Sequence, residues 1–478
     1  MNAPRPVTRV DTDPVHATLD HGLHQLAALG GDLAAHANAI GTILWSPPRV
    51  VVVGRLKAGK STLVNALIGA PVAETAALEA TNVVTVYQDG SPSRAEVVGV
   101  DGGRHPVAVH RDHAIRLPLE TPDIQFVDRW LPSAALRQLT LIDTPGLSTL
   151  TVANDSATRR VMIDGFEQTR TASIDADAAV FLFDAAPRSD EIDFLSQLPF
   201  TPLNMLGVLS RADSFGEGAL GRVDPLTHAA RHATRMADQL SDTVSAVVPI
   251  SGLMAQTSHT GMLTEQMADA LARLQGMAPL DVVRTFDNDD ADGVLPLPVR
   301  ENLLGLLGEY GVLNGRQIAA GGAAALNAWL TERSGVGGLH QALNASTTRF
   351  AILHRAHRIL ARLDQLAFTH PARDHIRSLT MQLRSAPALH LVSVLEDYQR
   401  MLRTDPQAPV TEELHTILVA TSPAGRVGLP DRAPAHAISA EARRRLATAQ
   451  QRSLATSSAA EDAAIVTLIR TYTPLTHT

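Results

Sequence analysis

The chain has 478 residues, with 41 Lys+Arg against 49 Asp+Glu for a net charge of −8, 45% hydrophobic residues and no cysteine. That length accommodates two or three domains with a large buried core; the lack of cysteine excludes a disulfide framework, a thiolate metal site and a cysteine nucleophile, and fits a reducing compartment. Residues 1–330 carry 24 Lys+Arg against 37 Asp+Glu and residues 331–478 carry 17 Arg against 12 Asp+Glu, so an acidic body argues against nucleic acid as a partner, while a basic tail is either a solvated helical face or able to meet an anionic surface.

Met1 to Thr12 contains Arg5 and Arg9 but no apolar run, and does not read as a secretory signal. Asp13-Pro14 pairs an N-cap acceptor with proline at the first helical position. Val15, Leu19, Leu23, Leu26, Leu33 and Ile40 then recur at helical spacing, which predicts one long helix to Ile43, bent at Gly30-Gly31.

Pro48 and Arg49 lead into Val50-Val51-Val52-Val53, a β-branched run with the character of a buried strand. Next comes Gly54-Arg55-Leu56-Lys57-Ala58-Gly59-Lys60-Ser61-Thr62, which fits G-x-x-x-x-G-K-[ST], and then the helical stretch Leu63–Ile68. In that pattern backbone N–H groups cradle a triphosphate, the second lysine reaches the β/γ-phosphates and the hydroxyl residue binds Mg²⁺. The helix would turn its positive end toward the phosphates. Gly54, Lys57, Ala58, Gly59, Lys60, Ser61 and Thr62 are therefore candidate nucleotide-binding residues, with Ser61 a candidate metal ligand. Lys57 and Lys60 are the only lysines in the chain; every other cation is arginine. A compact ammonium fits between phosphate oxygens where a planar guanidinium imposes its own fork.

Downstream, Glu79-Ala80-Thr81-Asn82-Val83-Val84-Thr85 offers Thr81 as the threonine that bonds Mg²⁺ and the γ-phosphate, with Thr85 its rival. The strand candidate Leu139–Ile142 ends in Asp143-Thr144-Pro145-Gly146, a D-x-x-G in which Asp143 would hold Mg²⁺ through a water and Gly146 would offer its N–H to the γ-phosphate. Further strands are predicted at Ala179–Phe183, Met205–Leu209 and Ala246–Ile250. Alternation of these runs with helical stretches from 49 to 251 predicts a doubly wound, mostly parallel α/β sheet with its ligand at the strands' carboxyl ends.

Leu209-Ser210-Arg211-Ala212-Asp213 occupies the place of the guanine-reading N/T-K-x-D, with Ser210 for Asn or Thr and Arg211 for Lys. A carboxylate at Asp213 would accept two hydrogen bonds from the guanine edge, and arginine can stack on a base as lysine does. Pro249-Ile250-Ser251-Gly252 fits the loop that closes on the base, which adds Ser251 and Gly252 to the candidate site. The four motifs in this order predict a GTP-binding enzyme with Mg²⁺ as cofactor and GTP as substrate.

For hydrolysis the sequence is less conventional. The residue after D-x-x-G is Leu147, which cannot orient an attacking water as glutamine does in Ras-type enzymes. Lys57, with Lys60 and Thr81, is the candidate catalytic group, acting in cis on developing charge.

Beyond 252 the strand signal fades. A helical stripe follows Gly335 through Ile352, Ala356, Ile359, Leu363 and Leu366, and further helices are predicted over 373–403, 408–420 and 438–470. Helices of this length need packing partners, so residues 1–44 and 346–478 are expected to form one helical bundle flanking a GTPase domain at 45–345. Ser422–Pro430 reads as a surface loop, with a shallow membrane contact through Arg426, Val427 and Leu429 as the alternative. Asn288–Gly293 starts like a calcium loop but has Val299 in place of the bidentate glutamate, and reads as an acidic exposed loop. The 19 histidines show no zinc-ligand spacing.

With the motifs placed, GRLKAGKSTLVNAL, EATNVVT, IDTPG, LSRADSFG and VVPISGLMA together resemble the mycobacterial isoniazid-inducible dynamin-like GTPases, nearest to their shorter, IniC-type members. The likeness covers roughly residues 45–365 and weakens through Gly308-Glu309-Tyr310-Gly311 and Glu332-Arg333-Ser334-Gly335. It implies a GTPase head on an α-helical stalk, self-association through GTPase domains, a larger IniA-type relative as a partner, and a cytoplasmic protein acting at the inner face of the plasma membrane. In that family's relatives among guanylate-binding proteins and dynamins, the position of Lys57 holds an arginine finger or a water-positioning serine. A GTP-switched scaffold that deforms no membrane is the alternative, and a ribosome-assembly GTPase is disfavoured by the acidic body.

Overall fold

The structure, a computed structural model, describes residues 13–73, 83–109, 115–147, 167–287 and 294–477. The chain divides into two compact units, one formed by residues 47–348 and the other by residues up to 46 together with 349–478.

The first unit is built on a nine-stranded sheet: β1 (Arg49–Gly54), β2 (Thr85–Asp89), β3 (Arg94–Gly99), β4 (Arg104–Val107), β5 (Ile124–Leu131), β6 (Thr140–Asp143), β7 (Ala178–Phe183), β8 (Met205–Leu209) and β9 (Val247–Pro249). Their order is β4-β3-β5-β2-β6-β1-β7-β8-β9. From β6 to β9 all pairings are parallel. β2 runs antiparallel to β6 and parallel to β5, and β3 is antiparallel to both β4 and β5. The sheet is thus mostly parallel, as expected, with its antiparallel pairings made by β2 and β3, in the stretch where no strand was predicted.

The period-two geometry of β1 explains its unbroken apolar run. Val50 and Val52 enter one core with Leu63, Val64 and Leu67 of the Lys60–Ile68 helix, while Val51 and Val53 enter another with Ile142, Phe181 and Ala229. Both faces are covered, so all four valines are fully buried. A third core lies among helices after β9, where Met254, Leu271, Leu303, Leu307, Tyr310 and Leu330 pack together.

The second unit is helical. The predicted single N-terminal helix is two, Pro14–Ala28 and Leu33–Trp45. Gly30 and Gly31 both adopt positive φ, 79° and 61°, and the chain turns back there. Trp45 Nε1 donates to Asp20 Oδ1 at 2.8 Å, which closes the hairpin. A continuous helix would leave its apolar stripe without a partner, whereas two residues in the left-handed region allow the halves to cover each other. The predicted 373–403 helix is likewise split into Arg373–Ser385 and His390–Thr404, at Pro387. The 438–470 stretch comprises Ala435–Arg452 and Ala459–Leu475. In the 422–430 segment Val427 is buried, 1% exposed, which removes one of the two apolar groups of the alternative membrane contact.

Among the described residues no helix is long and apolar enough to cross a membrane. Tertiary structure gathers Asp32, His36 and His370, a set that no sequence spacing announced. His370 Nδ1 accepts from Ala372 N–H at 3.0 Å, so Nε2 carries the proton and donates to Asp32 Oδ1 at 3.1 Å. Both ring nitrogens of His370 are engaged, and its hydrogen bond to Asp32 fastens two turns. The acidic 288–293 stretch lies outside the described residues.

Candidate functional site: a phosphate and guanine pocket

The carboxyl ends of β1, β6 and β8 open into a cavity of about 790 Å³. Its wall includes Lys57, Ala58, Gly59, Lys60, Ser61, Thr62, Asp143, Gly146, Ser210, Arg211, Asp213 and Gly252 of the predicted set, together with Thr85, Tyr87, Arg129 and Leu253. Thr81 lies outside the described residues. Thr85 is in the cavity wall and sits directly across from Asp143 in the β2–β6 register.

The end formed by the G-x-x-x-x-G-K-S loop is a left-handed backbone nest, a shape suited to phosphate. Lys57 has φ 65° and Gly59 has φ 94°, and Gly59 is the N-cap of the Lys60–Ile68 helix. Lys60 Nζ donates to Gly54 O at 3.0 Å and Arg55 O at 2.9 Å. It is 7% exposed, and burial lowers its pKa to about 8, with the charge of Asp143 opposing. Gly54 is thus behind the wall, where its carbonyl also accepts from Leu147 N–H at 3.0 Å.

Leu147 is a core residue, 3% exposed, that bridges to Arg55 in strand fashion. Its place explains why this position holds no water-orienting side chain. Gly146 is required by close approach, since a Cβ there would fall 2.6 Å from Leu56 Cα.

Ser61 Oγ donates to Asp143 Oδ2 at 3.1 Å, while Asp143 Oδ1 is buried with no hydrogen-bond partner among the described residues. Burial raises the Asp143 carboxyl from 3.8 to about 6, the charge of Lys60 opposing. An orphaned buried carboxylate oxygen beside a serine hydroxyl fits a hard divalent cation. Ser61 and Asp143 would hold Mg²⁺, which supplies neutralisation of phosphate charge when bound.

This arrangement has a measurable consequence. A carboxyl whose folded pKa exceeds its unfolded one keeps its proton longer when folded, so its penalty is absent below about pH 4 and complete above about pH 6. Stability of the wild type is therefore expected to fall across that window relative to Asp143→Asn, by up to about 3 kcal/mol at 1.36 kcal/mol per unit. Urea midpoints at pH 4 and 7 check this. Mg²⁺ is expected to raise the wild-type midpoint at pH 7 and leave that of Asp143→Asn unmoved.

The end that carries the predicted guanine-reading residues is assembled from two loops. Ala212 N–H donates to Ile250 O at 3.1 Å, which ties the turn after β8 to the one after β9. Burial holds the Asp213 carboxyl above its ordinary value of 3.8, opposed chiefly by a hydrogen bond from Ser251. Ser251 itself is fully buried and caps the Gly252–His259 helix, accepting from Met254 N–H. It sits behind Asp213 rather than in the wall. Ser210 Oγ donates to Phe183 O at 3.2 Å, so its hydroxyl joins β8 to β7. Arg211, at φ 55°, donates to Lys57 O at 3.0 Å, and its guanidinium links the base turn to the phosphate nest.

Several supporting residues escaped the motif reading. Asn65 is 1% exposed; its Oδ1 accepts from Val72 N–H and Ala73 N–H, and its Nδ2 donates to Ala73 O at 3.0 Å. Arg129 donates to Val72 O at 2.8 Å from the other side. Glu191, 3% exposed, lies 3.6 Å from Arg55 Nε. Only Asn65 left a trace in the sequence, as a lone amide inside Leu63–Ile68.

Fold and site together define a P-loop GTPase, an enzyme that binds GTP and cleaves it to GDP and phosphate. Residues 49–204 match the family model described as 50S ribosome-binding GTPase. The isoniazid-induced protein IniC of Mycobacterium tuberculosis is 31% identical over 364 residues, 71% of this chain and 71% of its own length. The chain belongs to the IniC family. The isoniazid-induced protein IniA of the same organism is 36% identical over 119 residues, 23% of this chain and 19% of its own. A solved structure of an oligomerised bacterial dynamin pair aligns at a TM-score of 0.31 and 14% identity over 99% of this chain and 76% of that one, too distant to carry an argument.

Proposed function

We propose that this GTPase reads guanine through Asp213, grips the phosphates through the nest and Lys60, holds Mg²⁺ through Ser61 and Asp143, and couples the cycle to an anionic membrane surface. The observation that supports the nucleotide part is the convergence of Lys60, Ser61, Asp143 and Asp213 on one cavity. The membrane part draws on family membership and on the basic balance of residues 331–478, 17 Arg against 12 Asp+Glu. Self-association through GTPase domains, an IniA-type partner, a peripheral location at the plasma membrane and a role in cell-envelope stress belong to the same reading. Co-sedimentation with anionic vesicles, with and without GTP, tests it. Vesicle binding with stimulated turnover is expected; no binding would point instead to a GTP-switched scaffold.

Lys57 is the proposed cis-acting catalytic group. It is exposed on the cavity wall, its left-handed backbone is held by Arg211, and Leu147 is buried out of reach of a water. Lys57→Ala is expected to lower single-turnover GTP cleavage by about 10- to 100-fold, below the range of a full arginine finger, with GDP affinity within roughly threefold. Wild-type turnover with intact binding would sink this role.

A further inference from the structure

The base-reading turn is backed by a helix that breaks where the two meet. The Leu297–Gly315 helix is interrupted at Gly308, with φ 67° and ψ 176°. That conformation belongs in practice to glycine alone. A Cβ built on Gly308 would lie 3.4 Å from Asp213 Oδ2 and 3.5 Å from Leu253 Cδ2. A methyl group there would just touch the carboxylate and a cavity-wall side chain, so it is the φ of the break, not lack of space, that calls for glycine beside Asp213.

Two residues on, the break is locked. Tyr310 is 3% exposed and its hydroxyl donates to Asp224 Oδ2 at 3.0 Å. Asp224 Oδ1 meanwhile caps the Pro225–Gln239 helix, accepting from Leu226 N–H at 2.8 Å and Thr227 N–H at 3.1 Å. The Tyr310 ring stacks on Trp329 with an 8° interplanar angle. Burial first, and then Asp224, push the Tyr310 hydroxyl up to about 12, so it remains a donor at neutral pH.

Asp213 thus has two neighbours from distant segments, the Ser251 hydroxyl, which counters the effect of burial on its carboxyl, and Gly308, whose position faces Oδ2. A pair of hydrogen bonds to one base edge tolerates little displacement of the acceptor. We propose that the helix break at Gly308, locked by Tyr310, positions Asp213 and so sets this enzyme's discrimination for guanine. The inference rests on Asp213 being the base-reading residue. Gly308 and Tyr310 are positioning residues and act through that carboxylate.

The test is displacement of a fluorescent GDP by GDP and by IDP, whose base lacks the 2-amino group. Phosphates and ribose are common to both, so the IDP-to-GDP ratio of dissociation constants isolates the base edge, which a merely structural role would not move. Gly308→Ala is expected to lower that ratio about fivefold and Tyr310→Phe, which keeps the ring stack, about twofold, as for one weakened hydrogen bond. Tyr310→Phe carries the test alone if Gly308→Ala does not fold. An unchanged ratio in folded variants, with Asp213→Asn abolishing the preference, overturns the positioning role. An unchanged ratio in Asp213→Asn as well overturns the base reading with it.

Discussion

Replacing Lys60 with methionine is expected to weaken GTP and GDP binding by roughly 10³-fold while making the nucleotide-free protein more stable. The two effects have one origin. An ammonium 7% exposed, with its pKa lowered to about 8, is held against its own hydration by two carbonyl contacts and by Asp143. Phosphate oxygens would satisfy that charge far better than backbone carbonyls do, which is the source of the binding energy. For a lysine whose folded pKa is below the unfolded value of 10.5, the burial penalty is complete below about pH 8 and is relieved as pH rises toward 10.5. Stability of the wild type should therefore rise across that window. Methionine has similar volume and no charge, so the variant should show no such slope. A shift of this size corresponds to roughly 3 kcal/mol, of which about 1–2 should remain after Asp143 loses its compensating cation. Isothermal titration with GDP and urea midpoints from pH 7 to 10 measure both. Tight GDP binding by Lys60→Met would remove the lysine from the phosphate site.

Asp213→Asn is expected to lower GDP affinity by about 10²- to 10³-fold and to favour xanthosine diphosphate instead. The carboxylate offers only acceptors to the two N–H groups of the guanine edge. An amide turns one of those positions into a donor facing a donor, and sites built around hydrogen bonds reject such mismatches strongly. Xanthine carries an oxygen at that position, which an amide N–H matches. The Ser251 hydroxyl can still donate to the amide oxygen, so the turn should keep its shape. Competition between GDP and XDP for the variant reads the inversion. A variant that still prefers GDP would show that Asp213 does not face the base.

The parts of the sheet that sequence revealed are those whose strands are buried on both faces. β1, β7 and β8 are unbroken apolar runs because helices cover both sides, and such runs identify themselves. β3, β4 and β5 contain Arg94, Arg104, Asp128 and Arg129 among their apolar residues. Their charges are handled by partners on other strands, as when Arg104 of β4 meets Glu96 of β3 and Asp128 of β5. The N-terminal hairpin was hidden for a similar reason. Helical periodicity continues across Gly30-Gly31 whether the chain bends or reverses, and only the docking of Trp45 on Asp20 distinguishes the two.

By itself the sequence determined that this protein is a P-loop GTPase, because phosphate and base chemistry restrict residue types at short, fixed spacings, and its resemblance placed it with the IniC kind. Tertiary structure alone decided how those residues are held. Leu147 became core, Ser251 moved behind Asp213, Arg211 bound the Lys57 carbonyl, and Gly308 came to lie near the carboxylate from 95 residues away. Local spacing encodes which atoms a ligand needs. The contacts that position those atoms join segments far apart along the chain, where burial and hydrogen-bond satisfaction, not spacing, select the partner.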